Sequence, residues 1–288
     1  MRIALGSAQF GSFYGVANRT GQVDRATVAA ILRRAESAGM DTLDTAIAYG
    51  DSERRLGEAG VAGWRIVSKL PEVPDGCQDV VNWVSSEVQA SLARLGIRRL
   101  AGLLLHRPQQ LLEANGRALW AALQVLLQDG IVGKIGFSIY DPVELDTLWR
   151  RFRPGLIQAP YNILDRRLCA SGWLDRMYQE GVEVHARSVF LQGLLLMQPA
   201  ERHEKFKRWA ALWALFDGWL KEEQLSALEA CLRVVLSDTR ISRVIVGVDS
   251  LDQLDEILAS SAGPTMDVPA GLICNDLDLV NPSRWSSL

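Results

Sequence analysis

Histidine is scarce in this chain: only His106, His185 and His203 occur in 288 residues. A zinc centre built from His and Cys is therefore not expected, and no metal site is assigned. The four cysteines, Cys77, Cys169, Cys231 and Cys274, lie far apart, without paired ligand spacing or the framework of a disulfide-stapled scaffold. They read as free thiols. No apolar run approaches the roughly 20 residues of a spanning helix, and Met1 to Gly6 is too short for the apolar region of a signal peptide. The expectation is a cytoplasmic chain with no membrane partner. Basic clusters are lacking too: the net charge is -3 with Lys and Arg scattered, so no footprint for nucleic acid is seen. A small-molecule partner is expected, and the sequence carries no signal for oligomeric state.

What the chain has is a large apolar fraction, 48%, against 23% charged residues, enough for a substantial core. Short apolar strands alternate with helical patterns along its length. Strands are read at Ile3 to Ser7, Met40 to Asp44, Arg65 to Lys69, Leu100 to His106, Lys134 to Ser138, Leu156 to Gln158, Val182 to Ala186 and Arg243 to Val246. Between them, Asp24 caps a helix carrying Val28, Ile31, Leu32 and Ala35 and ending near Gly39, and Ser52 is placed as N-cap of Glu53 to Ala59. A helix from Val80 to Leu95 presents Val81, Val84, Val88 and Leu92 on one face; others are read at Leu111 to Gln128, after Pro142, at Ala170 to Glu180 and at Leu251 to Leu258.

Eight near-continuously apolar strands separated by helices imply parallel pairing and a closed (β/α)8 TIM barrel in one domain, residues 1 to 288. An open doubly wound sheet would need Gly-x-Gly-x-x-Gly after its first strand, and Gly6, Gly11 and Gly15 do not supply it. The segment Gln198 to Asp238, between strands seven and eight, is enlarged. Its stripe of Phe206, Trp209, Trp213 and Phe216 reads first as packing against the barrel and second as a lid over the substrate.

In such a barrel the carboxyl ends of the strands share one rim, which brings Asp44, Lys69 and His106 together, with Tyr49 in the loop above them. A lysine near Tyr49 favours phenolate over phenol and makes the hydroxyl a better proton donor; Asp44 keeps that lysine charged, and His106 can orient a carbonyl oxygen. The set suits protonation of an oxyanion. It contains no strong nucleophile, so a bound hydride donor is the natural attacking species.

Asp44-Thr45-Ala46 with Tyr49-Gly50 and Ser52-Glu53, then Ser68-Lys69, then Leu104-Leu105-His106, resemble the Asp, Tyr, Lys and His tetrad of the aldo-keto reductases. That resemblance runs from about Ile3 to Leu258. It implies reduction of an aldehyde or ketone by a nicotinamide dinucleotide, commonly NADP, with Tyr49 as general acid. It also implies cofactor contacts at Ser7, Asp44, Ser138, Gln158, Arg187, Ser188, Phe190, Gly247, Asp249, Gln253 and Glu256. Three positions differ from the common pattern: Ile139 stands where Asn is usual, Arg187 where an aromatic stacks on the nicotinamide, and Ile257 where Asn meets adenine. Basic residues for a 2′-phosphate are missing and Asp249 would repel one, so NAD is admitted beside NADP. Phe10, Phe13 and Tyr14, with Trp209 and Trp213 if they fold over the rim, are candidates to shape the substrate pocket. Two rivals are a non-catalytic dinucleotide-binding barrel and a metal-assisted hydrolase or Schiff-base aldolase acting through Lys69.

Overall fold

The computed structural model describes residues 1–288. Eight strands close into a parallel barrel in the order of the sequence: β1 (Ile3–Gly6), β2 (Thr42–Asp44), β3 (Arg65–Leu70), β4 (Gly102–Leu105), β5 (Ile135–Ser138), β6 (Leu156–Pro160), β7 (Glu183–Arg187) and β8 (Arg243–Gly247). All eight expected strands are present, each within two or three residues of its expected ends. Helices α1 (Arg25–Ser37), α2 (Ser52–Ala59), α3 (Val80–Leu95), α4 (Gly116–Gln128), α5 (Glu144–Leu148) and α6 (Trp173–Gln179) follow the first six strands. Two helices, α7 (Ala210–Glu222) and α8 (Ala227–Ser237), fill the enlarged segment before β8, and α9 (Leu251–Ser260) follows it. No helix is long and apolar enough to cross a membrane.

Local chemistry explains where the helices begin and end. Asp24 caps α1 by accepting from the Ala26 and Thr27 amides, and Gly39, at φ +81°, turns the chain after it. Three expectations need correction. Asp51, not Ser52, is the N-cap of α2, and its side chain makes no capping bond; the Ser52 hydroxyl donates instead to Ser7. On α3 the buried face is Val80, Val84, Val88, Leu92 and Leu95, while Val81 is half exposed, so the stripe begins one residue earlier. The helices read from Leu111 and Ala170 each begin with a separate short turn, Pro108–Leu112 and Arg167–Ala170, the latter cut from α6 by Gly172 at φ +76°.

Most of the core lies between the barrel and its helices. The aromatic stripe belongs there: Phe206, Trp213 and Phe216 are buried, Trp209 is partly so, and Phe206 meets Trp285 of the C-terminal segment edge-on at 4.9 Å. Inside the barrel a small separate cluster of Val67, Leu104 and Leu156 forms a thin apolar layer. Because side chains alternate along a strand, Val67 shares the inward face with Lys69, and Leu156 with Gln158. Gly102 and Gly136 make room for this layer, since a Cβ on the first would meet Leu156 and on the second the Leu156 carbonyl. Below it, Glu183 accepts from Lys134 at 2.6 Å and pairs with His185 at 2.8 Å, which holds the Glu183 carboxyl down to about 2. Above it lies the site.

Candidate active site

Asp44 ends β2, and its carboxylate is almost fully buried. Such a charge requires partners. Lys69, from the next strand, donates to both carboxylate oxygens at 2.9 and 2.8 Å and to the Thr45 carbonyl at 2.9 Å, while the Gln158 amide donates to Oδ1 at 2.6 Å. Burial works against the Lys69 ammonium, yet the neighbouring Asp44 carboxylate holds its pKa above the ordinary lysine value. The ammonium lies 5.0 Å from the centre of the Tyr49 ring. His106, just past β4, stands edge-on to that ring at 6.0 Å. Its pKa is pulled down to about 4, first by burial and then by the charges of Lys69 and Arg187, so the imidazole is neutral at physiological pH.

The loop that carries Tyr49 is held by close backbone approach. A Cβ on Gly11 would lie 1.6 Å from the Tyr49 carbonyl, and one on Gly50, at φ +54°, would lie 2.4 Å from the Gly11 carbonyl. Only glycine fits at either position. Beneath this contact, the Ser52 hydroxyl donates to the Ser7 hydroxyl at 2.7 Å, and Ser7 Oγ donates to the Asp44 carbonyl at 2.9 Å. A second network secures Lys69 from behind. Buried Glu53, on α2, accepts from the hydroxyls of Ser68 and Ser91 at 2.8 and 2.7 Å and from Arg94 Nε at 2.9 Å, tying α2, β3 and α3 together. The Ser52-Glu53 motif does not by itself assign Glu53 this role; its signal is a carboxylate on the face of α2 that also buries Leu56.

A cavity of about 330 Å³ extends from this cluster across the rim. Asp44, Tyr49 and Gln158 line it at the catalytic end, and Gly247, Asp249, Gln253, Glu256 and Ile257 line it where β8 runs into α9. Ser7, Arg187, Ser188 and Phe190 lie along its wall. Ser138 is buried at the end of β5 and is not part of the lining. Ser7 is engaged with Asp44 and Ser52, and Gln253 Oε1 accepts from the Asp249 amide at 2.8 Å. Of the aromatic residues expected around the pocket, only Tyr14 lines the cavity; Phe10 is buried in the core, Phe13 points to solvent, and Trp209 and Trp213 lie elsewhere. Asn18 was not anticipated. It lies in the lining and donates to Asp249 Oδ1 at 3.1 Å.

The residues present fit an extended dinucleotide. The cavity has a proton-donor cluster at one end and the start of a ten-residue helix at the other. Its floor is kept low at Gly247, where a Cβ would collide with the Gln9 side chain. Across the mouth, the Val16 amide donates to the Gln192 carbonyl at 3.1 Å, joining the loops that follow β1 and β7. Ser188, Leu191 and Gln192 in the second loop adopt positive φ, a costly conformation for residues with a Cβ and one that clusters at ligand-binding segments.

Comparison with known proteins shows the family. The model of the aldo/keto reductase family matches residues 2–267. The chain belongs to that family, whose members are oxidoreductases that use nicotinamide cofactors. Among curated relatives, L-glyceraldehyde 3-phosphate reductase of Escherichia coli strain K12 is 26% identical over 268 residues, covering 79% of this chain and 76% of the relative. The protein of the same name from Escherichia coli O157:H7 matches to the same extent. Among solved structures, the aldo-keto reductase AKR11C1 from Bacillus halodurans, in its holo form, shares the fold with a TM-score of 0.72 at 18% identity, covering 96% of this chain and 94% of its own.

Proposed function

We propose that this protein reduces the carbonyl of a small aldehyde or ketone, or runs the reverse oxidation, with a nicotinamide dinucleotide and with Tyr49 as the proton donor. The observation that carries the reading is the cluster of Asp44, Lys69, Tyr49 and His106, of which Asp44 and Tyr49 line a cavity that runs on to Gln253 and Glu256 of α9. When bound, the dinucleotide supplies or accepts the hydride at the carbonyl carbon. The protein supplies the rest. Tyr49 gives its hydroxyl proton to the carbonyl oxygen, and the Lys69 ammonium stabilises the negative charge left on the phenol oxygen. Asp44 keeps Lys69 charged and stationary. Neutral His106 has a ring N–H to offer the same carbonyl oxygen and holds it beside Tyr49.

Although NADP is the cofactor the family resemblance implies, charge in the lining supports NADH. At the α9 end Asp249 and Glu256 are the charged residues, and no cation accompanies them. A 2′-phosphate there would meet two carboxylates, whereas a ribose hydroxyl could donate to one. Titration of the protein with NADH and NADPH, followed by quenching of tryptophan fluorescence, tests both parts. NADH is expected to bind at least about tenfold more tightly than NADPH, a difference of about 1.4 kcal/mol. If neither dinucleotide binds at millimolar concentration the reductase reading is dismissed, and tighter binding of NADPH would dismiss the assignment of NADH.

A further inference from the structure

Glu183, His185 and Arg187 alternate along β7 and so face the barrel interior together. The first two are matched with each other and with Lys134. Arg187 is not matched by any carboxylate. Its Nη2 donates to the Ile139 carbonyl at 3.0 Å, its Nη1 donates to the Ser188 hydroxyl at 3.2 Å, and the guanidinium lies 4.3 Å from the centre of the Tyr140 ring. These contacts leave N–H groups of the fork free, on a half-buried side chain that lines the cavity.

Lys69 is neutralised by Asp44 at 2.8 Å, and His106 is uncharged. In the loop after β5, Asp141 is matched by Arg167 at 2.6 Å, and Glu144 accepts from the Tyr140 and Asp141 amides at 2.8 Å. Arg187 is the one cation of the cavity lining, and its charge reaches His106 and Tyr14. Its contacts also give it a direction. The side chain leans across β6 toward the end of β5, away from the β8 to α9 end where Asp249 and Glu256 stand. Stacking on Tyr140 and the bond to Ile139 hold the fork in place before any ligand arrives, which lowers the entropic cost of using it.

We propose that Arg187 holds an anionic group of the substrate, so that the preferred carbonyl compounds carry a carboxylate or a phosphate within a few bonds of the reacting carbon. This rests on the reductase reading and adds to it a substrate class and a specificity-determining residue. A planar guanidinium forms paired hydrogen bonds with either group, whereas a neutral aldehyde leaves a partly desolvated cation without a counter-charge.

Two matched pairs of aldehydes test it, with NADH as reductant: 4-oxobutanoate against butanal for the carboxylate, and glycolaldehyde phosphate against glycolaldehyde for the phosphate. The wild-type protein is expected to favour the charged member of at least one pair by about tenfold or more in kcat/KM. In Arg187→Gln that preference is lost, because KM of the charged aldehyde rises by about tenfold more than KM of its neutral partner measured at the same saturating NADH; Arg187→Lys restores part of it. A second readout needs no turnover: succinate and inorganic phosphate are titrated into the protein alone and into the protein with saturating NADH. At least one of them is expected to bind, and to bind about tenfold more weakly to Arg187→Gln.

Absence of charge preference in both pairs overturns the proposal. So does an Arg187→Gln variant that loses NADH affinity and turns over charged and neutral aldehydes equally poorly, because the guanidinium would then belong to the cofactor. Should no aldehyde be reduced, the anion titration decides: Arg187-dependent binding upholds the anion site while the reductase reading falls, and no binding removes both.

Discussion

At the scale of single residues, the site rests on which side chains are charged and which are not. His106 is the informative titrating group. Its folded-state value of about 4 lies below the 6.5 of an ordinary histidine, because burial and the nearby Lys69 and Arg187 charges oppose the imidazolium. Between those two values the unfolded chain binds the proton that the folded chain refuses, so stability rises with pH across that window. The contribution is fully present above pH 6.5 and is lost as pH falls toward 4. Its size is at most roughly 3 kcal/mol. Urea denaturation from pH 4 to pH 7 should show this slope, and His106→Gln should flatten it. An unchanged slope would mean that the imidazole is not held neutral by its surroundings. Asp249 is the matching residue at the far end of the cavity, half-buried and with its pKa raised by burial against the opposing bond with Gln253. Asp249→Asn should narrow the preference for NADH over NADPH by several-fold, to a degree that salt diminishes.

Among the elements, the decisive packing is that of α2 on β3 and α3. Gly57 brings α2 against the end of α3, where a Cβ would lie 2.1 Å from the Arg94 carbonyl, and the Glu53 carboxylate is buried in the seam. Removing Arg94 leaves that charge with only two hydroxyl donors. Arg94→Met should therefore destabilise the fold by roughly 3 kcal/mol, whereas the paired change Glu53→Leu with Arg94→Met should cost distinctly less, because no uncompensated charge remains. Thermal or urea unfolding of the two variants measures the difference, and equal losses would show that the carboxylate needs no cation. Ser68, next to Lys69 on β3, is one of the donors, so the single variant is also expected to slow turnover. This network was not legible in the sequence. Glu53 stands three residues before Leu56 and so shares its buried face, but Ser68, Ser91 and Arg94 come from two other elements, and nothing in the sequence pairs them with it. Ser52 misled for a related reason: its residue type suits a cap, but the nearby Ser7 hydroxyl and carbonyl offer its proton a buried partner.

For the whole molecule, the barrel was readable because parallel strands are apolar on both faces and stop abruptly at polar residues. Asp44, Lys69 and His106 marked three strand ends, and the fold then joined them as expected. Loops were read less well. Tyr14 lines the cavity as expected, but Asn18 reaches it only because the segment after β1 crosses the mouth to meet Gln192, a long-range contact with no sequence signature. Phe10 and Phe13 share that segment and its composition, yet one is buried in the core and the other exposed. The same assembly makes hydride transfer testable in one reaction. The protein is mixed with NADH carrying deuterium at the transferable C4 position and with 4-oxobutanoate and butanal, and the alcohols are analysed by mass spectrometry. One deuterium is expected on the former carbonyl carbon, and in Tyr49→Phe a rate lower by about 10² to 10⁴ with NADH still bound. Binding of NADH without deuterium transfer by the unaltered protein, or undiminished transfer by Tyr49→Phe, would contradict the reductase reading.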